Sequence, residues 1–244
     1  MTTEALLAVA ASKKSKRKGW RELPVLIVVA LVLAVLVKTF LVQAFFIPSG
    51  SMERTLHGCP GCNGDRVLVN KVVYTIRDVH RGEIVVFNGV DSFDSEVPDP
   101  PPATGLQRAV RSVTRLVGLG APGEKDYIKR VIGLPGDRVA CCSNGHVTVQ
   151  PAGRAGAVEL HEPYLYEDDK QVFCAAGTDA QCPAGAPGVL VPEGRLWVMG
   201  DHRGASSDSR ANGTIPIDKV IGRAFVVVWP FPRVKTLPVP DPFR

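Results

Sequence analysis

The stretch DYIKRVIGLPGD, residues 126–137, decides the fold. Tyr127 to Ile132 is rich in β-branched and aromatic side chains, the composition of a strand. Leu134-Pro135-Gly136-Asp137 follows as a turn, because Pro presets φ, Gly tolerates positive φ and Asp bonds its own neighbouring backbone. The same unit recurs outward in both directions. Residues 65–74 (DRVLVNKVVY), 82–87 (GEIVVF), 139 onward, 146–149, 189–191, 196–199 (LWVM) and 220–229 (VIGRAFVVVW) read as further strands. Many short strands separated by turn residues predict a mainly β chain: an antiparallel β-sheet domain with short helical and loop insertions. The largest insertion is expected at 88–125. Within it VPDPPP, residues 97–102, can continue neither strand nor helix. Residues 106–119 place Leu106, Ala109, Val110, Val113, Leu116 and Val117 at helical spacing, with Arg108, Arg111 and Arg115 on another face. Such a basic amphipathic helix can lie in a membrane interface or pack on the domain. The sequence has no internal repeat and no dinucleotide or phosphate-loop fingerprint.

Upstream, the character changes. Residues 1–23 carry six Lys/Arg (Lys13, Lys14, Lys16, Arg17, Lys18, Arg21) and two Glu (Glu4, Glu22), so four of the chain's five net positive charges sit there. A basic tail beside an apolar run explains this charge better than a nucleic-acid face. Residues 24–47, PVLIVVALVLAVLVKTFLVQAFFI, contain one charge, Lys38. As a helix they would extend about 36 Å, enough to cross a bilayer core of roughly 30 Å. The expected organisation is a cytoplasmic tail (1–23), an N-terminal transmembrane helix (24–47) and an extracytoplasmic domain (48–244). A cleaved secretory signal ending near Val42-Gln43-Ala44 is the alternative, although the apolar run continues through Phe45-Phe46-Ile47. Both readings export the domain.

Export bears on the six cysteines, Cys59, Cys62, Cys141, Cys142, Cys174 and Cys182. An even count in an oxidising compartment points to disulfides, with Cys59–Cys62 and Cys174–Cys182 as short loops that could close. A zinc site on Cys59-Pro60-Gly61-Cys62 is the rival. His57, His80, His146 and His161 show no metal-ligand spacing.

Chemistry enters through one serine and one lysine. Ser51 follows Gly50, which permits close backbone approach, and lies four residues past the expected membrane span. A serine hydroxyl needs a base to become a nucleophile. Lys129 shares its strand face with Tyr127 and Val131, an apolar setting that would lower the pKa of an ammonium. Four segments then ask for one explanation: IPSGSM (47–52), GDRVLV (64–69), YIKRVIGLPGD (127–137) and GDHRGASSDSR (200–210). In order and content they resemble the motif boxes of the bacterial type I signal peptidases, a Ser/Lys dyad family of serine proteases. The resemblance runs from the apolar segment to about Trp229.

The resemblance implies roles. Ser51 matches the nucleophile and Lys129 the general base. Ser49 matches a side-chain oxyanion donor, and such donors contribute about 3 kcal/mol each. Ser206 matches a serine that orients the lysine, and Asp208 with Arg210 a supporting charged pair. Ile47, Pro48, Met52 and Ile128 match apolar pockets for small side chains, implying an Ala-x-Ala cleavage site. No metal or other cofactor is implied. The implied partners are secretory preproteins with signal peptides, plasma-membrane lipid and the protein-export translocon, with no nucleic acid. The implied location is the outer face of the plasma membrane, single-pass. His202 stands where the family commonly has asparagine, Gly204 where an acidic residue is frequent, and the CPGC insertion is unusual. Three other readings stay open. One is a Ser51/His202 triad completed by Asp201 or Asp208. The others are a self-cleaving Ser/Lys regulator and an inactive disulfide-stapled binding domain.

Overall fold

The structure, a computed structural model, describes residues 16–36, 41–89, 93, 126–143, 146–166 and 188–240. The expected helix at 106–119 and the Cys174–Cys182 loop lie outside these residues. So do residues 1–15 of the basic tail.

Helix α1, Lys16–Leu36, contains Pro24 and is apolar beyond its first two turns. Leu23, Val25, Leu26, Ile27, Val28, Val29, Leu31, Val32 and Leu33 are all exposed. The helix does not run on to Ile47. Residues Val42–Phe46 instead form strand β1, which pairs antiparallel with β2, Arg66–Asn70, in the register Ala44 opposite Leu68. The physical reason is that VQAFF suits a half-buried strand as well as a helix, and β2 supplies the partner. Phe45 and Ile47 are 4% and 2% exposed, against Val67 and Val69. Among the described residues no helix is long and apolar enough to cross a membrane.

β2 also stops short of the expected Tyr74. Asn70 Oδ1 accepts the N–H groups of Val72 and Val73 at 3.0 and 3.1 Å, an Asx turn that ends the strand. A short helix, α2 (Val73–Ile76), follows. The remaining strands are β3 Ile84–Asn88, β4 Asp126–Gly133, β5 Arg138–Ser143, β6 His146–Gln150, β7 Val158–Glu159, β8 Val189–Leu190, β9 Arg195–Met199, β10 Ile215–Pro216, β11 Val220–Trp229 and β12 Lys235–Thr236. Among the described residues a further helix, α3 (Ser209–Asn212), lies between β9 and β10.

The strands form two sheets. The larger runs β1-β2-β11-β3-β4-β9-β10, with β12 also on β11; the smaller runs β7-β6-β5-β8. Among the described residues every pairing is antiparallel. The predicted mainly β, antiparallel architecture is therefore present.

Both faces of the central strands are buried, so alternate residues feed different cores. Ile84 and Val86 of β3 join Phe45, Ile47, Met52 and Val67 in one core, while Val85 and Phe87 join Val131, Leu196 and Val198 in another. A third core, with Trp197, Met199, Ile132 and Val147, joins the two sheets. β4 thus lies between packed layers, and a lysine in its middle is buried by position.

Candidate active site

The segment between β1 and β2 carries Ser51. Residues Gly50–Met52 form a single 3-10 turn in which Ser51 and Met52 are buried. Met52 drops into the core beside Ile47 and Leu56, and this anchors the turn. Lys129 sits in β4 opposite Val85. Ser51 and Lys129 are 2% and 3% exposed, and Lys129 Nζ donates to Ser51 Oγ at 2.7 Å. Two residues 78 positions apart thus meet in a site shielded from water. Ser49 Oγ is 3.3 Å from Ser51 Oγ.

The loop after β9 closes over this pair. The His202 backbone N–H donates to the Ser51 carbonyl at 3.1 Å. Gly200 lies where a Cβ would come within 2.2 Å of Ser206 Oγ and 2.5 Å of the Ser51 carbonyl oxygen. Only glycine lets the loop pass between these groups. Ser206 Oγ donates to Asp208 Oδ2 at 2.8 Å, as does the Gly200 N–H at 2.9 Å. Arg210 binds both Asp208 oxygens, Nε to Oδ1 at 2.7 Å and a terminal nitrogen to Oδ2 at 2.9 Å, and also reaches the carbonyls of Arg203 and Ser206. Burial pushes the Asp208 carboxyl upward, but the Arg210 guanidinium and the donors from Gly200 and Ser206 prevail and hold it below the usual range. Ser209 Oγ accepts from the Val198 N–H at 2.9 Å, so the loop is also tied to the strand that precedes it.

Of the expected pocket residues, Ile47 and Met52 are buried together, Ile128 packs against the same core, and Pro48 is exposed beside them. The ring of His202 stacks on Tyr166 at 4.7 Å, and its Nδ1 is 3.2 Å from the Gly50 carbonyl. Asp201 makes a bidentate pair with Arg130, at 2.8 and 2.6 Å, and accepts from Thr55 Oγ1. Both carboxylates of the alternative triad are thus held by arginines.

Sequence reading did not find two buried ion pairs. In the first, Arg130, next to the lysine in β4, meets Asp201 and lies over the Tyr164 ring at 3.9 Å. In the second, Arg203 meets Glu162 and donates to the Gly200 carbonyl at 2.8 Å. Burial works against each arginine's charge, yet Asp201 for Arg130 and Glu162 for Arg203 keep both raised. A Lys129-Arg130 dipeptide in a strand was the available signal, since its arginine must face the side opposite the lysine.

Cys59 and Cys62 form a disulfide, as expected from their spacing. Among the described residues two groups have metal-ligand proximity, His57/Cys59/Cys62 and His146/Glu159/His161, the second of which the sequence spacing had not suggested.

Comparison with known proteins matches residues 20–229 to the family described as signal peptidase, peptidase S26. The chain is 37% identical over 248 residues to the probable signal peptidase I of Mycobacterium leprae, covering 93% of this chain and 82% of that protein. It is 38% identical over 230 residues to the signal peptidase I of Mycobacterium tuberculosis, covering 89% and 75%. A crystal structure of a signal peptidase I from Enterococcus faecalis is 21% identical, with a TM-score of 0.35, covering 61% of this chain and 97% of that one.

Proposed function

The chain belongs to the peptidase S26 family of signal peptidases, serine peptidases that remove signal peptides, and from that premise we propose the finer mechanism: a membrane-anchored endopeptidase with a Ser51/Lys129 dyad. The observation that carries this reading is the 2.7 Å hydrogen bond from Lys129 Nζ to Ser51 Oγ in a buried setting. A lysine acts as general base only when its amine is neutral, and burial works in that direction. Lys129 takes the Ser51 proton as Ser51 attacks the scissile carbonyl. The oxyanion is met by the Ser51 N–H and the Ser49 hydroxyl. The mature protein leaves with the proton, and a water activated by Lys129 frees the signal peptide from Ser51. Ser206, Asp208 and Arg210 hold the loop that positions the dyad. Ile47, Pro48, Met52 and Ile128 build shallow apolar pockets, which favours small residues and an Ala-x-Ala site.

The membrane part of the reading rests on α1. Beyond its first two turns α1 is apolar all round, which needs either a protein core or a bilayer, and there its apolar side chains are exposed. The basic residues of its first two turns, Lys16, Arg17, Lys18 and Arg21, favour a cytoplasmic N-terminus. Phe46 and Trp229 both register against Arg66, and Trp229 packs on Phe231 at 5.0 Å. These exposed aromatics, Phe46 on the strand that leads to Ser51 with Trp229 and Phe231 beside it at the end of β11, suit a headgroup interface.

The test is cleavage of a preprotein with an Ala-x-Ala site, in detergent, across pH. Cleavage after the second alanine is expected, rising into the alkaline range and lost in Ser51→Ala and Lys129→Met. Activity that survives Lys129→Met, or that levels off near neutrality, would transfer the base role to His202.

A further inference from the structure

The segment between Met52 and Arg66 carries chemistry that peptide cleavage leaves unused. The Cys59–Cys62 disulfide is bridged by Pro60 and Gly61, both exposed. Gly61 has φ +78°, and nothing lies within 4 Å of where its Cβ would be, so the turn is open on its outer side. His57 stands against its inner end. His57 Nε2 is 3.8 Å from Cys62 Sγ, and its Nδ1 is 2.6 Å from Glu53 Oε1. Glu53 also accepts the Gly58 N–H at 3.3 Å. A carboxylate, an imidazole and a sulfur in sequence fix the ring and allow it to take and return a thiol proton. A disulfide serving only as a staple needs no such array.

The same turn is pressed onto the nucleophile segment. A Cβ on Gly58 would lie 2.6 Å from the carbonyl oxygens of both Ile47 and Ser49, and one on Gly64 would lie 2.2 Å from the Ile47 carbonyl. Ile47 donates its N–H to the Asp65 carbonyl, and Asp65 donates its N–H to the His57 carbonyl, at 2.9 and 2.8 Å. The Asp65 carboxylate accepts the His57 N–H and pairs with Arg233. The disulfide turn therefore backs directly on the expected substrate pocket at Ile47 and the expected oxyanion donor at Ser49.

We propose that Cys59–Cys62 is a thiol–disulfide exchange site, driven by an external dithiol, whose redox state sets the geometry of the Ile47–Ser51 segment. Its effect on cleavage rests on the peptidase reading; the exchange chemistry does not. In reduction, a thiolate of the dithiol attacks Cys59 Sγ. The S–S bond breaks, and Cys62 Sγ leaves with the electron pair and takes a proton relayed by His57 Nε2. The proton shed by the attacking thiol replaces it. The second thiol then attacks the reductant's own sulfur in the mixed disulfide, and Cys59 leaves carrying that thiol's proton. Two electrons and two protons end on the protein, and the dithiol becomes a disulfide. The oxidised turn holds the segment for cleavage; the reduced turn releases it.

The experiment uses the full chain in detergent, equilibrated over a series of reduced and oxidised dithiothreitol ratios. Thiols at Cys59 and Cys62 are counted by alkylation and mass spectrometry, and preprotein cleavage is followed in parallel. The pair is expected to titrate reversibly, with cleavage falling several-fold on reduction. Reduced Cys62 is expected to be alkylated about tenfold faster in wild type than in His57→Gln, because the imidazole raises its thiolate character. The Cys59→Ser/Cys62→Ser double variant is expected to show the reduced rate at every ratio. A pair that resists reduction without unfolding would overturn the proposal. Equal alkylation in His57→Gln, or dithiol sensitivity that persists in the double variant, would do the same. Stoichiometric zinc on His57, Cys59 and Cys62 would make the cluster a metal centre instead. If the oxidised chain cleaves no preprotein, the peptidase reading fails, while the alkylation rates still decide the exchange site.

Discussion

Gly200 illustrates how tightly single residues constrain this site. Its missing Cβ makes room for Ser206 Oγ on one side and the Ser51 carbonyl on the other. Gly200→Ala must therefore move the loop or Ser51 by a sizeable fraction of an ångström. A misplacement of that order costs about 100-fold in rate. The expected result is a folded protein with preprotein cleavage reduced by roughly that factor and an unchanged thermal midpoint within a few degrees. Normal activity in Gly200→Ala would show that the loop is not part of the positioning. The meeting of Ser51 and Lys129 was legible only through the four segments taken together, since neither residue alone signals a pair. The partners of Arg130 and Arg203 were not. Asp201 lies 71 residues from Arg130, and Glu162 lies 41 residues from Arg203, and nothing local in a sequence links such charges before the sheet forms.

At the level of elements, the segment from β9 into α3 behaves as a unit built on one carboxylate. Asp208 caps α3 through the Arg210 N–H, holds the Gly200 N–H and pairs with Arg210. Removing it in Asp208→Ala takes the carboxylate from the largely buried Arg210 guanidinium and the acceptor from the buried Gly200 N–H, a change that costs about 3 kcal/mol. Its acid behaviour follows from the direction of its shift. The folded-state value is lowered, so the unfolded state binds the proton more readily. The stabilisation is complete above the ordinary Asp range and is lost as pH falls toward the folded-state value. Circular dichroism melts from pH 7 downward should show stability decreasing on the acid side, with a shallower decrease in Asp208→Asn. An identical slope in the variant would contradict the assignment. The elements themselves were mostly predictable. β4, β9 and β11 fall within a residue or two of the strands read from composition and turn residues. The exceptions have local causes. The Asn70 side chain ends β2 early, and Val42–Phe46 is apolar in a way that fits helix and strand equally until a pairing partner is known.

For the whole molecule, the boundary between helix and sheet sets what can be removed. A chain beginning at residue 41 keeps β1 and should fold without detergent while losing its association with lipid vesicles. A chain beginning at residue 48 loses Phe45 and Ile47, each stabilising by roughly 1.5–3 kcal/mol through burial. It also exposes the edge of β2, and should aggregate or melt well below the longer form. Co-sedimentation with vesicles and thermal melts of the two truncations would check both statements. Equal stability of the two would mean that β1 is an ornament of the sheet rather than part of it.

The strand order has a bearing on timing. β11, Val220–Trp229, lies between β2 and β3, so a late stretch of the chain completes the middle of a sheet whose earliest strand leads to Ser51. A nascent chain that has emerged only as far as β9 possesses both the serine and the lysine but has no continuous sheet to bring them together. The order of synthesis therefore delays assembly of the site: the hydrogen bond between Lys129 and Ser51 has to wait for β11 to bridge the two halves of the sheet.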